Sequence, residues 1–401
     1  MRAVFVNHLH PDAQHIAGVR LRSLAEGLAG RGHQVVLLTQ SLHPDDPQPV
    51  DIEAALAAHD WSRPFVLGCP PAPSPLMASL RAGTLPRPLR VAVISWLYLT
   101  HGGVFPDWYR GTRPYWGNLA KTFRPEVTLG TFGNTDAWLI ARKLARLAGS
   151  PWVMDVKDSW QAFIPAPFRS LLAWRFKDAA AMTTLSGSHL EAACRLFPVP
   201  GTVVHSGFPR ELAWTYPSGA GFRLLVTGGL YGLGAAMVAG AVDWLERLPE
   251  AERTGVVFTY AGTEHAAMAE SAARLSRLCR VEIHPFLPLK RLVELQREAF
   301  LNLYAKSTAG PDWFHHKVLE LLCAGRPMVS IPAEGAEAVR IAAEVKGELG
   351  SCNGPRSLAE VCAAAWARRD RPVEVDRIRL AAYSWEGQAE ELEHVLREVV
   401  P

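Results

Sequence analysis

The sequence has no strong excess of charge of either sign. Its 42 Lys and Arg residues stand against 39 Asp and Glu residues, so the 401-residue chain has a formal net charge of only +3. Proteins that bind nucleic acids, or membranes through polybasic segments, normally have a marked basic excess. The composition therefore excludes a globally basic protein and predicts no nucleic-acid partner, so any phosphate-binding site must be local.

Cysteine is scarce, and its spacing excludes the common cysteine motifs. The six cysteines form no CxxC pair and have no zinc-type spacing with histidine. His8, His10 and His15 match no strong metal-ligand pattern either, so we expect no metal site. A reduced cytoplasmic compartment agrees with this cysteine usage, and the inner face of the membrane is the alternative location.

Long apolar runs are nearly absent. The start of the chain, MRAVFVNHLHPD, has an apolar stretch of four residues, which is too short for the core of a signal peptide. One window, Leu224 to Val242, has no charged residue over 19 positions, but five of these are glycine. We therefore expect a strand, a glycine turn and a helix in this window, and not a membrane span.

The chain does contain a repeated alternation of strand-like and helix-like segments. AVFV (3–6), an amphipathic helix over 19–33 and QVVLLTQ (34–40) form a first β–α–β unit, and a second series runs from RLLVTGG to PMVSIP (327–332). Strands separated by helices lie parallel in one sheet. Such sheets bind ligands at the carboxyl ends of their strands, so we predict two Rossmann-like α/β domains that face each other across a cleft.

Two stretches lack this alternation. Residues 209–221 have no periodicity and are predicted to be an interdomain linker. Residues 60–121 are rich in Pro, Arg and aromatic side chains, including Trp108 and Trp116. Long loops packed on the first domain would explain this composition. A wall that binds the acceptor, or one that contacts a membrane peripherally, would explain it equally well, because Trp and Tyr stack on sugars and suit lipid interfaces.

The strongest chemical signal is GPDWFHHKVLELLCAGRP (310–327). Asp312 stands eight residues before Glu320, Lys317 lies between them, and Gly325 and Pro327 end the helix predicted over about 314–324. A loop acid can bind sugar hydroxyls, a lysine can neutralise phosphate, and a helix start offers backbone N–H groups to an anion. An ordinary amphipathic helix with solvated charges is the alternative.

This segment resembles the acid-x7-acid motif of retaining GT-B glycosyltransferases, specifically glycosyltransferase family 4. KVLELLCAGRPMVSI is similar to the lysine-containing variant of its polysaccharide-type members. VRLRSLAEGLAGRGHQVVLLT, FPDWYRGTRPYW, VMDVKDSW, HSGF and YSWEGQAEELEHVL resemble further parts of the family. The resemblance therefore covers nearly the whole chain.

The resemblance implies a GT-B fold with an acceptor domain at 1–210, a donor domain at 211–382, and a closing helix at 383–401 that crosses back to the first domain. Asp312 is implied to be catalytic through the donor-sugar hydroxyls. The residues implied in donor binding lie at the two glycine turns and around the motif helix, and they are Gly18, Arg20, Gly228, Gly229, Phe314, His315, His316, Lys317 and Glu320. Glycines at such turns let backbone N–H groups approach an oxyanion.

Asp158 is the second candidate catalytic residue. It lies with Asp155 in the strand-like segment PWVMDVKD, and either carboxylate could touch the acceptor nucleophile or the leaving group in the cleft. The alternative is that Asp158 caps the helix that follows.

The sequence departs from the family at three positions. LYGLGAAMVAG, after the second glycine turn, lacks the Arg and Lys that neutralise the diphosphate in many relatives, and Lys317 is the candidate replacement. EVTLGTFGNTDAW lacks a histidine that many members carry. The first acid of the motif is Asp312, which is one methylene shorter than the usual glutamate.

We expect transfer of a sugar, with retention, from a nucleoside diphosphate sugar of UDP or GDP type to a hydroxyl of a glycan, a lipid-linked sugar or a natural product. GT-B enzymes as a class use no metal and no further cofactor, and the leaving diphosphate helps take the acceptor proton. A non-transferring, epimerase-like enzyme and a catalytically silent sugar-nucleotide-binding protein are the alternatives. No GxGxxG follows AVFV, which argues against a nicotinamide-dependent enzyme.

Overall fold

The computed structural model describes residues 1–13, 15–43, 45–46, 51–72, 74–217, 219–285, 287–306, 314 and 316–401. The chain divides into two compact units. Unit 1 comprises Met1–Ser206 and Trp385–Pro401, and unit 2 comprises Gly207–Ser384. The sequence led us to expect the boundaries after residues 210 and 382.

Unit 1 is built on a seven-stranded sheet in which all described pairs are parallel. The strands are β1 (Arg2–Asn7), β2 (Gln34–Gln40), β3 (Phe65–Cys69), β4 (Val127–Thr131), β5 (Trp152–Val156), β6 (Ala181–Thr184) and β7 (Gly201–Val203). Their order, β3-β2-β1-β4-β5-β6-β7, reverses between β1 and β4. The parallel pairing confirms the alternation predicted from the sequence.

The helices of unit 1 follow the strands along the chain. They are α1 (Ile16–Gly30), α2 (Ile52–Ala57), α3 (Pro75–Arg81), α4 (Arg87–Thr100), α5 (Pro106–Asn118), α6 (Thr135–Ala148), α7 (Trp160–Phe163), α8 (Arg169–Phe176) and α9 (Gly187–Cys194). Helix α1 begins three residues before its predicted start because His15 caps it, with Nδ1 accepting the Ala17 N–H at 3.1 Å.

The aromatic stretch 60–121 forms strand β3 and helices α3 to α5, and is not a set of long loops. Trp108 is fully buried and Trp116 is only 8% exposed, and both belong to the main apolar cluster of unit 1. Burial of flat rings explains much of the local tryptophan content. Trp108 and Trp116 are therefore core residues, and the expectation that they line an acceptor-binding surface is wrong.

Unit 2 is built on a six-stranded sheet whose described pairs are also parallel. The strands are β8 (Arg223–Thr227), β9 (Val257–Ala261), β10 (Arg280–His284), β11 (Ala299–Ala305), β12 (Met328–Ile331) and β13 (Leu349–Ser351). The helices are α10 (Gly234–Arg247), α11 (Glu250–Arg253), α12 (His265–Ala272), α13 (Leu289–Glu298), α14 (Lys317–Cys323), α15 (Ala336–Glu344), α16 (Pro355–Trp366) and α17 (Arg377–Ala381). The strand order, β10-β9-β8-β11-β12-β13, reverses between β8 and β11.

The window 224–242 forms β8, a glycine turn and α10, as predicted from its glycines. Within the ranges given above, no helix is both long and apolar enough to cross a membrane.

The predicted linker is packed against unit 2. Ala213 of this segment, and Phe208 directly before it, are fully buried in the cluster that also contains Val318 and Leu322 of α14. Residues 210–214 form a short 3₁₀ helix. We predicted a linker because a 3₁₀ helix this short shows no periodic pattern of apolar residues.

The last helix, α18 (Trp385–Val399), belongs to unit 1 and packs along α1. The two helices approach closely because Gly27 has no side chain, and a Cβ there would lie 2.5 Å from the Cβ of Ala389. Glu393 accepts a hydrogen bond from His33 Nε2 at 2.8 Å. The closing helix thus returns to the first unit, as the resemblance implied.

Candidate functional site

The carboxyl ends of β8 and β11 define the candidate site of unit 2. The strand order reverses between these two strands, so the helices that follow them leave to different sides of the sheet. In open parallel sheets ligands bind in the crevice at such a reversal. The residues that follow β8 and β11 are therefore the candidate ligand-binding residues of unit 2.

A glycine turn follows β8, and the fold requires glycine there. Gly228 has φ +82°, which side chains other than glycine rarely adopt. Its N–H donates to the Ala261 carbonyl at 2.9 Å, and its carbonyl accepts from Tyr260 Oη at 2.7 Å. A Cβ on the neighbouring Gly229 would touch the ring of Tyr231 at 3.4 Å. The turn is thereby fixed to the end of β9.

Glu264 also takes part in this turn. Its carboxylate accepts a hydrogen bond from the backbone N–H of Leu230, and its own N–H donates to Tyr260 Oη at 3.1 Å. One amide of the turn therefore already binds an anionic oxygen from within the chain, which is the type of contact that a phosphate makes at such turns.

Lys317, the first residue of α14, reaches the same turn. Its Nζ donates to the carbonyl of Thr227, the last residue of β8, at 3.0 Å, across 90 positions of sequence. A Cβ on Gly228 would collide with the Nζ and Cε of Lys317. The glycine turn and the motif helix were identified separately in the sequence, and the structure brings their two key residues into contact.

The environment of Lys317 disfavours its charge. Burial lowers the pKa of Lys317 to about 8, and the nearby carboxylate of Glu320 opposes this shift. A second anionic group beside the ammonium would favour the charged form further. The lysine is thus suited electrostatically to an anionic ligand at the turn.

Other residues of the motif are placed as follows. Glu320 lies half-buried in the first turn of α14, and His316 directly precedes the helix. Burial lowers the pKa of His316, as does the charge of Lys317, while Glu320 raises it. Phe314 is 9% exposed and belongs to the apolar cluster around α14. Asp312 and His315 lie outside the described residues.

An ion pair that we did not predict lies at the ends of β11 and β12. Lys306 Nζ is 3.4 Å from the Glu334 carboxylate, which also accepts from Tyr304 Oη at 2.9 Å. All three side chains are nearly buried. Lys306 directly follows β11 and Glu334 lies in the loop after β12, and these positions were the available sequence signal.

Gly18 of unit 1 lies inside the first turn of α1 and not in the loop before it. Its N–H donates to the His15 carbonyl at 2.9 Å. A Cβ there would lie only 2.6 Å from the His10 carbonyl oxygen, so glycine lets the loop after β1 approach the helix.

Arg20, predicted to bind the donor, is buried and bonded within unit 1. Its Nη2 lies 3.0 Å from Asp155 Oδ1, and its Nη1 donates to the His205 carbonyl at 2.9 Å. Burial would raise the pKa of Asp155, but the Arg20 guanidinium and a hydrogen bond from Thr183 hold it below its usual value. The guanidinium therefore connects α1 to β5 and residue 205. The carboxylate of Asp155 is likewise held within unit 1, by Arg20 and by Thr183.

Asp158 lies in the loop after β5, where it forms an ion pair with Lys157. Its side chain is 28% exposed. Ser159, and not Asp158, caps α7, because its Oγ accepts the Ala162 N–H at 3.2 Å. The capping alternative for Asp158 is therefore wrong.

Two histidines, His15 and His189, interact with the Asp158 loop. Burial lowers the pKa of His15, as does the charge of Lys157, while Asp158 raises it. Burial likewise lowers the pKa of His189, against a hydrogen bond to the Asp158 backbone. His189 lies near the start of α9, and we did not single it out from the sequence.

The described part of the chain contains no group of three or more His, Cys, Asp or Glu side chains that could hold a metal ion. His10 instead accepts the Asp12 N–H at 3.1 Å, and His8 stacks on Phe105 with ring centroids 4.1 Å apart.

No protein-family model matches the sequence, and no curated protein sequence matches it. Solved structures do match the fold. Sucrose-phosphate synthase from Thermosynechococcus elongatus is similar with a TM-score of 0.65 and 16% identity over 99% of this chain and 98% of that one. HepE of Anabaena, in complex with UDP and glucose, has a TM-score of 0.60 and 15% identity over 99% and 100% of the two chains.

A third similar structure is a putative UDP-N-acetylglucosamine 2-epimerase from Listeria monocytogenes. It has a TM-score of 0.58 and 10% identity over 99% of this chain and 96% of that one. Sucrose-phosphate synthase and HepE are GT-B glycosyltransferases. The chain has the GT-B fold with two Rossmann-like units, which confirms the predicted fold class.

Proposed function

We propose that the protein is a retaining GT-B glycosyltransferase, of the polysaccharide-type subgroup of glycosyltransferase family 4, that transfers a sugar from a nucleoside diphosphate sugar to a hydroxyl group. The observation that carries the proposal is the position of Lys317, whose ammonium lies over the Gly228 turn where the strand order reverses. An ammonium at a glycine turn is a suitable site for a diphosphate.

In this proposal unit 2 is the donor domain. Lys317 neutralises the diphosphate in place of the Arg and Lys that are absent after the glycine turn. Gly228 and Gly229 let the backbone approach the diphosphate. Glu320 accepts the ribose hydroxyls, and Asp312 holds hydroxyls of the donor sugar. The complex of HepE with UDP and glucose supports a UDP-type donor.

The proposed chemistry needs no protein nucleophile. The leaving diphosphate helps to take the acceptor proton on the face of the sugar that it leaves, so that the configuration is retained. The protein orients the two substrates and stabilises the charge that develops on the leaving group. Lys317 is the described cation best placed for that stabilisation.

Unit 1 is the acceptor domain in this proposal, and Asp158 is its candidate catalytic residue. Partial exposure of the Asp158 carboxylate and the neighbouring His15 and His189 support this choice. Gly18 and Arg20 receive a structural role, since their contacts lie within unit 1. The acceptor stays a prediction, namely a glycan, a lipid-linked sugar or a natural product. So do a cytoplasmic location and peripheral membrane contact through 60–121.

The similarity to an epimerase supports one alternative, a non-transferring enzyme that acts on the sugar nucleotide alone. Incubation of UDP-glucose and UDP-N-acetylglucosamine with and without a hydroxyl acceptor separates the two. Product formed only with acceptor, and with the donor's anomeric configuration, supports retaining transfer. Isomerisation of the donor without acceptor contradicts it.

Nucleotide binding can be tested with a thermal-shift panel of UDP, GDP, TDP and their sugars, because a ligand that binds only the folded state raises its stability. In Glu320→Gln we expect affinity for the preferred nucleotide to fall by about 1–3 kcal/mol, since the ribose hydroxyls lose a charged acceptor. Glu294→Gln, an exposed carboxylate on α13, is the matched control. Equal affinities in Glu320→Gln and the wild type would overturn the assignment of Glu320.

A further inference from the structure

A cavity on the side of α6 in unit 1 belongs to neither candidate site. Its volume is about 230 Å³, and it is bounded by α6, by the end of α4, and by one residue each from α5 and α8. Four of its lining residues are cationic, namely Arg142, Lys143, Arg146 and Arg175, and none of the lining residues is acidic. Such a concentration of charge contrasts with the near-neutral chain as a whole.

One carboxylate partly compensates these charges. Asp178 lies beside the cavity, 2.8 Å from Arg142 Nε and 2.9 Å from Arg146 Nη2. Neither Lys143 nor Arg175 forms a salt bridge with any residue that the structure describes. The four cations and the one carboxylate together leave a local excess of positive charge, which an anion would stabilise.

Neutral hydrogen-bonding groups complete the lining. Tyr109 and His101 both face the cavity. Burial lowers the pKa of His101, and the charges of Arg110 and Arg175 lower it further. The ring therefore stays neutral at pH 7, which leaves the positive charge to the Arg and Lys side chains.

The helices that bound the cavity carry exposed apolar side chains. Trp96 and Leu99 of α4 are 49% and 51% exposed, and Trp174 of α8 is 65% exposed. The Trp96 ring lies 5.3 Å from that of His101, centroid to centroid. Trp96 is therefore a large exposed apolar side chain beside the cavity, a feature found at interaction surfaces.

We propose that this cavity binds a phosphate group. Guanidinium groups offer paired N–H donors that match phosphate oxygens, and a lysine adds a mobile point charge. The cavity is smaller than the roughly 300–1,000 Å³ of a site that encloses a whole ligand, and therefore suits one charged group whose remainder extends over the rim. A soluble phosphate ester and a phospholipid headgroup share this chemistry, and the exposed Trp96 beside His101 makes the lipid a source to test.

The test compares two double variants that remove equal charge. Lys143→Gln/Arg175→Gln removes the two cavity cations that form no described salt bridge. Lys121→Gln/Arg195→Gln removes two exposed cations of unit 1 that do not line the cavity. Lys143→Gln alone, at an exposed helix position, serves if the Arg175 substitution impairs folding, which thermal unfolding reports.

Two probes distinguish the sources. Calorimetric titration with inorganic phosphate and glucose 6-phosphate measures a soluble source, and co-sedimentation with phosphatidylcholine vesicles, with or without phosphatidylglycerol, measures a lipid source. We expect at least one probe to bind the wild type and the control variant, and to bind the cavity variant at least tenfold more weakly. Absence of binding to both probes, or equal losses in the two double variants, would overturn the proposal. This test involves no sugar transfer, so it is independent of the proposed function.

Discussion

Each Rossmann-like unit has a cation close to the point where its strand order reverses, and the two cations are used differently. Arg20 of unit 1 is buried against the carboxylate of Asp155, so its charge is compensated within the fold. Lys317 of unit 2 donates one hydrogen bond to the carbonyl of Thr227, directly beside a glycine turn where a ligand oxyanion could approach. The comparison teaches that a cation near a strand-order reversal must be assigned from its contacts, which support a structural role for Arg20 and the ligand-binding role that we propose for Lys317.

The largest expected effect is that of Arg20→Ala on stability. Removal of one partner of a buried ion pair leaves the Asp155 carboxylate buried and uncompensated, which costs about 3–5 kcal/mol. Urea unfolding of the purified protein measures the change. Arg22→Ala, two positions along and 49% exposed, is the control and should change stability by less than about 1 kcal/mol. Similar losses in both variants would remove the structural role of Arg20.

Substitutions at Gly228 and Gly18 should show that the two glycines have different roles, one in nucleotide binding and one in stability. Gly228→Ala forces an alanine to φ +82° and into Lys317, so we expect nucleotide affinity to fall by about 1–3 kcal/mol. Gly18→Ala places a Cβ 2.6 Å from the His10 carbonyl oxygen. We expect it to destabilise unit 1 by about 1–3 kcal/mol and to leave nucleotide affinity unchanged.

Calorimetric titration with UDP and urea unfolding of both glycine variants check these expectations. A loss of nucleotide affinity in a folded Gly18→Ala protein would mean that the segment around Gly18 in unit 1 also contacts the donor.

The smallest effect concerns pH. With a pKa of about 8, Lys317 loses its proton as pH rises through 8 in the unliganded protein. A diphosphate prefers the ammonium, so nucleotide affinity should fall between pH 7 and 9 by about tenfold in total. Lys317→Arg stays charged over this range, and its affinity should vary little with pH. A wild-type affinity that is constant from pH 7 to 9 would contradict the role given to this proton.

Much of the fold was predictable because periodicity is a local property. The alternation of strands and helices was sufficient to predict two parallel sheets. The linker at 209–221 and the aromatic stretch 60–121 were not predicted correctly, because Ala213 and Trp108 owe their burial to partners distant in sequence. The sequence alone does not distinguish a buried tryptophan from an exposed one, because burial depends on tertiary packing.

The candidate site was predictable to a similar extent. Gly228 and Lys317 could each be singled out from residue type and position in a motif, whereas their contact depends on how β8 and α14 pack. The pairing of Arg20 with Asp155, 135 positions apart, had no local signal at all. Lys306 and Glu334 each follow a strand, but their pairing also depends on how β11 and β12 pack.

Calorimetric titration of UDP into the wild type, Lys317→Ala and Lys290→Ala tests the central claim most directly. Lys290 is an exposed lysine of α13 in the same unit, so its substitution removes the same charge away from the glycine turn. The account predicts that UDP binds the wild type and Lys290→Ala alike, and Lys317→Ala about 10- to 100-fold more weakly, as expected for a charged hydrogen bond. Equal affinities in all three proteins, or no binding of any nucleoside diphosphate by the wild type, would contradict it.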